Sequence, residues 1–448
     1  MKATLRVLPV FLLSLVYFFA PQISAQDWLY TGTKLGTGQR IRLAAADFKP
    51  VGNDPQVTPF KTVFDSTLYN DLQNAGIFDM VSKSLAPQAT PGSPQEIVLS
   101  QWSAEPANAS MVAFGAFSVD NGRIVVYGWL DDATNAANPQ VLAEQYNEQA
   151  SEDMARTIAH RFADAIISRL GGGINGIAET KIYFVSNRTG AKEIWVMDYD
   201  GANQHAITHL GNISKAPRIS PDNSRVAFSS LGREGWAIRM FSLDLNRMVS
   251  FPTGAVGANN ITPAWSGDGL QLAFSSARSG HPDIWVADAS GSSAHSITSF
   301  GSDEGPCWNP RTDDQIAFVS GRTGEPQIYI MDKDGSNVQR MTDGGYATDP
   351  SWAPNGGLLA FTWDRKYGPG APGNYDIYVM DIASKNWLQA THEAGINEHP
   401  SWSPDTRHIV FQRQIGHRTQ IWTMLANGTE QHQLTYSGDN TEPDWSWK

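Results

Sequence analysis

Short apolar runs separated by polar turns dominate this chain from residue 179 onward, and they recur. Ile182-Tyr183-Phe184-Val185-Ser186, Val226-Ala227-Phe228-Ser229, Leu272-Ala273-Phe274-Ser275, Ile316-Ala317-Phe318-Val319-Ser320, Leu359-Ala360-Phe361 and Ile409-Val410-Phe411 are six copies of one run. Each is followed by a second run built on Ile, at Ile194, Ile238, Ile284, Ile328, Ile377 and Ile421. Runs this short and this rich in β-branched and aromatic residues, bounded by Gly, Pro, Asn and Asp, read as strands. A weaker strand then often ends in Thr, as at Thr208, Thr298, Thr342 and Thr435.

A third motif fixes the period. Pro263-Ala264-Trp265-Ser266, Pro306-Cys307-Trp308-Asn309, Pro350-Ser351-Trp352-Ala353, Pro400-Ser401-Trp402-Ser403 and Pro443-Asp444-Trp445-Ser446 share one form, with Pro217-Arg218-Ile219-Ser220 as a version lacking Trp. The six prolines stand 46, 43, 44, 50 and 43 residues apart. Four short strands per unit of this length describe a β-propeller blade. The copy at Pro443 has no strand after it, and the run at Ile182 has no Pro-x-Trp before it. The two halves complete one another: the C-terminal strand is expected to become the innermost strand of the blade begun at Lys181, removing two sheet edges.

Before the repeats the pattern is different. Ile41 to Asp47 reads as a strand. Phe64, Leu68, Leu72 and Ala75 follow helical spacing up to Gly76, and residues 86–94 read as a loop. Met111 to Phe117, Ile124 to Leu130 and Val141 to Tyr146 alternate as strands, with Asp120-Asn121-Gly122 as a hairpin turn. Ser151, followed by Glu152 and Asp153, can cap a helix whose apolar stripe is Met154, Ile158, Phe162 and Ile166, and Gly171-Gly172-Gly173 ends it. The fold class expected is therefore an α+β N-terminal domain followed by an all-β six-bladed β-propeller closed by the C-terminal strand. The domains expected are a signal peptide at 1–25, the α/β domain at 26–173 and the propeller at 174–448.

The signal peptide rests on Lys2 and Arg6 ahead of the apolar stretch Val7 to Ala20, and on the small residue Ala25. Pro21-Gln22 interrupts what a membrane anchor would need, and no later run is long enough to span a bilayer. The formal charge of −12 becomes −14 once those two cations are removed. Such a surface disfavours nucleic acid and anionic lipid and favours basic surfaces or cations. Cys307 is the only cysteine, so no internal disulfide can form, and its place in a strand suggests a small buried residue.

Sequence motifs for catalysis are absent: no Gly-x-Ser-x-Gly elbow, no His-Glu-x-x-His, no phosphate loop and no dinucleotide fingerprint. The Asp-x-Asp-Gly segments at Asp198 and Asp332 lack the further carboxylates and closing Glu of a calcium loop and read as turns. No cofactor and no metal are therefore expected. The functional signal is positional. In a blade, the loop entering the innermost strand lies at the mouth of the central channel. The triplets before the repeat prolines are Ser214-Lys215-Ala216, Asn260-Ile261-Thr262, Asp303-Glu304-Gly305, Ala347-Thr348-Asp349, Asn397-Glu398-His399 and Asn440-Thr441-Glu442. They bring five acids against one lysine, a ring that would attract a basic or amide-rich peptide or a cation. The candidate partner-binding residues are Asn260, Thr262, Asp303, Glu304, Thr348, Asp349, Asn397, Glu398, Thr441 and Glu442. The 364–374 loop extends that rim.

Taken together, a leader, a small α/β domain and six Pro-x-Trp-Ser…Ala-Phe…Ile-Tyr-x-Met-Asp units ending on an unpaired Pro-x-Trp-Ser resemble the TolB family of the Tol-Pal envelope system. The resemblance implies a non-enzymatic, monomeric adaptor in the periplasm. It would bind a Pal-like peptidoglycan-associated lipoprotein at the propeller mouth and support outer-membrane integrity during division. Positions that match the family's contact loops include Thr262, Glu304, Glu398, Thr441 and Glu442. The resemblance also implies a TolA-like partner for the mature N-terminal segment, here Gln26 to Thr33, which lacks the family's alternating Val and Ile pattern. The competing class is a secreted propeller enzyme acting on glycans or peptides, which would need catalytic groups deep in the channel.

Overall fold

The structure, a computed structural model, describes residues 40–252, 257–300, 302–367, 374–392 and 394–448. The expected leader and the Gln26 to Thr33 segment lie outside the described residues.

Residues 41–171 form a mixed sheet covered on one face by two long helices. The strands are β1 (Ile41–Ala45), β2 (Lys49–Val51), β3 (Phe78–Met80), β4 (Met111–Asp120), β5 (Arg123–Asp132) and β6 (Gln140–Gln149), and the helices are α1 (Val57–Asn74), α2 (Leu99–Ser103) and α3 (Glu152–Leu170). The sheet order is β3-β1-β4-β5-β6, with β2 on the free end of β4. Phe48, Phe64, Phe117 and Phe162 fill the core between the sheet and α1 and α3. The N-terminus of α3 is capped as its sequence suggests, the Met154 N–H donating to Ser151 Oγ at 3.1 Å. Asn121 and Gly122 both take positive φ, 50° and 74°, in the β4–β5 turn, the conformation a two-residue hairpin requires. The three-residue strands β2 and β3 and the single-turn α2 carry too few residues for a readable period. They are held by the neighbours they pair with and by Trp102, which is buried with Val112 and Phe114 on the far face.

Residues 181–446 form six four-stranded antiparallel sheets arranged as a propeller. In blades 1 to 5 the innermost strands are Ser214–Ile219, Ile261–Trp265, Asp303–Trp308, Tyr346–Trp352 and Ile396–Trp402. The sixth, closing blade takes Asn440–Trp445 as its innermost strand beside Lys181–Ser186. Asp444 faces Tyr183 and Trp445 faces Ile182 across that pairing. Two reciprocal bonds extend it, Ser446 N–H to Lys181 O and Lys181 N–H to Ser446 Oγ, both 2.8 Å. Trp445 is 3% exposed, and its indole N–H donates to Thr180 Oγ1 at 2.8 Å. The first and last strands of the propeller thus meet in one sheet, as the split repeat requires.

The repeated Thr has a role beyond ending a strand. The fourth strands stop two residues short of it, for example at His205–Ala206 and Gln339–Arg340. Instead, the hydroxyls of Thr208, Thr298, Thr342, Thr391 and Thr435 accept the N–H of Ile194, Ile284, Ile328, Ile377 and Ile421 at 2.9–3.0 Å. Each lock satisfies a buried main-chain donor on the third strand. Blade 1 has Pro252 at the equivalent position.

Candidate functional site

The inner strands build the channel mouth, and their two-residue alternation decides which predicted residues reach it. The residue three before each repeat proline points into the blade: Ser214, Asn260, Asp303, Ala347, Asn397 and Asn440 are all 1% exposed or less. Three of them, Asn260, Asp303 and Asn397, are held by arginines stacked on the blade aromatics. Arg322 lies over Phe318 and Tyr329 and holds both Asp303 oxygens, at 3.0 and 3.1 Å. Arg413 lies over Phe411 and Trp422 and donates to Asn397 Oδ1 at 2.7 Å. Arg278 lies over Phe274 and Trp285 and reaches Asn260 Oδ1 at 3.4 Å. Asn260, Asp303 and Asn397 are therefore not brought to the mouth, because a strand cannot turn three consecutive side chains the same way. The Ser-x-Arg signature at Ser186-Asn187-Arg188, Ser276-Ala277-Arg278 and Ser320-Gly321-Arg322 carried this information. In each, the Ser hydroxyl accepts the Arg Nε–H, at 2.8 to 3.2 Å.

The other predicted residues, Thr262, Glu304, Thr348, Asp349, Glu398, Thr441 and Glu442, occupy the two positions before the proline. The residue immediately before it takes positive φ in every blade: Ala216 51°, Thr262 51°, Gly305 58°, Asp349 52°, His399 52° and Glu442 52°. A register shift accompanies each one, so these are six copies of one β-bulge. The bulge aims its N–H across the seam to the preceding blade. Thr262 donates to Ser229 Oγ, Gly305 to Ser275 Oγ, His399 to Thr362 Oγ1 and Glu442 to Gln412 Oε1, at 2.9 to 3.2 Å. The acceptors are the residues after the repeat Phe, a polar position that sequence reasoning passed over. Val185 fills it in the closing blade, and there Glu442 Oε2 takes the Ala216 N–H at 2.6 Å. Glu442 is thus part of the ring's own bonding.

Charge collects on the side of blades 3 to 5. Glu304 is exposed. Glu398 is half-buried, which raises its carboxyl pKa, and it accepts from Gln412 Nε2 at 2.9 Å. His399 Nδ1 sits 3.1 Å from Asp349 Oδ1. Burial disfavours both charges, yet the pair outweighs it: Asp349, Glu442 and Glu398 lift His399 to about 9, and His399, with the Thr362 and Thr348 hydroxyls, holds Asp349 at about 2. Tyr346 lies 5.2 Å from Tyr367 and 5.9 Å from Tyr375, ring centre to ring centre, giving this rim an aromatic flank. Burial, then Tyr346, Asp364 and Glu398, push Tyr375 to about 12. Opposite, Lys215 lies over the Trp236 ring at 4.6 Å.

Below the mouth the channel narrows to a cavity of about 80 Å3 lined by the residues after the prolines, among them Arg218, Cys307, Ser401 and Asp444. Asp444 is raised by burial; it accepts from Ile219 N–H at 2.8 Å and Ser401 Oγ at 3.2 Å and lies 3.9 Å from Arg218. Burial pushes the Cys307 thiol up to about 11, and its sulfur accepts the Trp352 N–H at 3.3 Å. Among the described residues no cluster of three or more His, Cys, Asp or Glu is arranged to hold a metal ion.

The N-terminal domain leaves the mouth open. It touches the propeller through turns between first and second, and third and fourth, strands, which antiparallel order puts on the opposite face. Arg407 Nη1 donates to Ala75 O and His408 Nε2 faces Asn74 O, both at 2.8 Å, covering carbonyls at the end of α1 that no helical partner can satisfy. Tyr199 donates to buried Asp71 at 2.6 Å, and Arg156 to Asp200 at 2.7 Å.

The model of the TolB beta propeller domain matches residues 169–369 and 350–448. A protein TolB homolog of Chlorobium luteolum is 29% identical over 315 residues, 69% of each chain. The Tol-Pal system protein TolB of Shigella dysenteriae is 32% identical over 188 residues, 41% of this chain and 43% of that one. The crystal structure of TolB from Acinetobacter baumannii has the same fold, with a TM-score of 0.76 over 91% of this chain and 97% of that chain at 24% identity. No helix among the described residues is long and apolar enough to cross a membrane.

Proposed function

Because this chain belongs to the TolB beta-propeller family, we propose that it is a non-enzymatic periplasmic adaptor of the Tol-Pal system. Its propeller mouth binds a Pal-like peptidoglycan-associated lipoprotein, and through that contact it supports outer-membrane integrity and cell division. The observation that carries this reading is the placement of the N-terminal domain on the face away from the mouth. An acidic and aromatic rim is thereby left uncovered by the described residues. Glu304, Thr348, Glu398 and Thr441, with Tyr346 beside them, are the contacts proposed for a partner segment that is basic or rich in amides.

The test is a binding titration with the purified soluble domain of a Pal-type lipoprotein. The double variant Glu304→Lys/Glu398→Gln, which keeps an acceptor for the Gln412 amide, should weaken binding by a factor of about 10 or more with unfolding close to the parent's. Glu442 is left intact because its carboxylate holds the Ala216 N–H. Unaltered binding by the double variant would put the contact elsewhere.

A further inference from the structure

Blade 1 departs from a pattern that the other five blades keep. Arg188, Arg278, Arg322, Arg365 and Arg413 each lie over an aromatic ring of their own blade. The residue after the repeat Ile is Trp195, Trp285, Tyr329, Tyr378 or Trp422 in those five, and in blade 1 it is Arg239. Four of the stacking arginines stand four residues after the repeat Phe, where blade 1 has Gly232. Blade 1 therefore lacks both that ring and the arginine that would cover it. A side chain at Gly232 would begin 4.0 Å from Arg239 Nη2.

A cleft of about 440 Å3 takes the place of the missing stack, lined by polar Arg239, Ser230 and Asn212 and by apolar Leu210, Met248 and Phe251. Ser230 stands where Ser186, Ser276 and Ser320 accept an arginine Nε–H. Here its hydroxyl donates to Asn212 Oδ1 at 3.1 Å, so the Asn212 amide nitrogen is left to donate to a ligand. Arg239 is exposed, and among the described residues it has no hydrogen-bond, ion-pair or ring partner. A ligand can reach it from solvent.

Charge around the cleft has the sign opposite to the rest of the protein. Residues 214–252 hold six Lys and Arg against three Asp and Glu, in a chain whose total is −12. Lys192, bridged to Ile213 beside Asn212, and Arg233, next to Gly232, are both exposed and have no ion-pair partner among the described residues. Positive charge thus extends past what one small acid would cover, which favours a segment of chain carrying several carboxylates. We infer that the cleft docks an acidic peptide segment of a partner protein in which an aromatic residue adjoins Asp or Glu. The ring lies on the Arg239 guanidinium and restores the stack of the other blades, while the neighbouring carboxylate takes the edge of that guanidinium and the Asn212 amide. This surface is distinct from the acidic rim of blades 3 to 5 and does not rest on the partner proposed there.

Nuclear magnetic resonance of the methionine-methyl-labelled protein tests this through the Met248 signal, with the blocked peptide acetyl-Glu-Phe-Glu-amide as the probe. The peptide should shift Met248 saturably, with a Kd on the order of 1 mM for so small a ligand. Acetyl-Gln-Phe-Gln-amide, without carboxylates, should bind at least about tenfold more weakly, and acetyl-Glu-Ala-Glu-amide, without the ring, about fivefold more weakly. Arg239→Gln alters an exposed side chain that holds nothing, so it should melt with the parent and lose at least about tenfold in affinity. No saturable Met248 shift, equal binding of the Gln peptide, or a folded Arg239→Gln protein that holds the probe as tightly as the parent would overturn the assignment. Binding of 3-phenylpropionate as tight as that of the peptide would give the cleft to small aromatic acids and overturn it as well.

Discussion

Trp445→Ala is the sharpest perturbation of the ring closure. The indole is 3% exposed, packs with Ile177, Ile182 and Leu434, and donates to Thr180 Oγ1 at 2.8 Å. Emptying such a site costs about 3–5 kcal/mol, which for a domain of this size lowers the melting temperature by roughly 6–20 °C. Deleting Pro443 to Lys448 goes further. It also removes the Ser446–Lys181 pair of bonds, the Ile219 N–H bond to Asp444 and the Trp447 N–H bond to Asn223. At about 1 kcal/mol each, the combined loss is roughly 7–9 kcal/mol, comparable with the whole stability of a typical domain. Thermal unfolding followed by near-ultraviolet circular dichroism should show the point variant melting early and the truncation without a cooperative propeller transition. A truncated protein melting with the parent would refute the idea that the C-terminal strand closes the ring.

Other outcomes follow from the same geometry. Thr391→Val removes the acceptor for the Ile377 N–H and should cost about 1–3 kcal/mol in urea unfolding, while Pro252, where blade 1 has no Thr, should tolerate replacement by Ala. The His399–Asp349 pair makes stability depend on pH. His399 is raised to about 9, so its share is complete below its unfolded value and is lost as pH rises through 9; Asp349 is lowered to about 2, so its share is complete above its unfolded value and is lost as pH falls through 2. The parent should therefore exceed Asp349→Asn by on the order of 2 kcal/mol between about pH 4 and 6.5, and a pH-independent difference in unfolding free energy would contradict the pairing. Glu442→Gln, which keeps an acceptor for the Ala216 N–H, should unfold close to the parent, and Glu442→Lys should lose about 1–3 kcal/mol.

The propeller was legible because its signals are long-range and repeated: six prolines at near-constant intervals and a split unit at the two ends admit few other architectures. The α1 and α3 helices were legible from their stripes and from Ser151. What escaped was set by pairing and by direction. β2, β3 and α2 are too short to carry a period. The triplets before the prolines suggest one continuous rim, but a strand alternates, and Asn260, Asp303 and Asn397 face the stacked arginines while Glu304 and Glu398 do not. The tyrosine flank joins Tyr346, Tyr367 and Tyr375 from different strands and loops, a proximity no local pattern encodes. Glu442's bond to the next blade arises because Val185 lacks an acceptor, a contact between positions far apart in sequence.

Photo-crosslinking tests the mouth assignment most directly. A benzoylphenylalanine at Thr348, on the rim, should trap the soluble domain of the Pal-type lipoprotein, and one at exposed Tyr127, on the N-terminal sheet, should not. Trapping at Tyr127 without trapping at Thr348 would contradict the account.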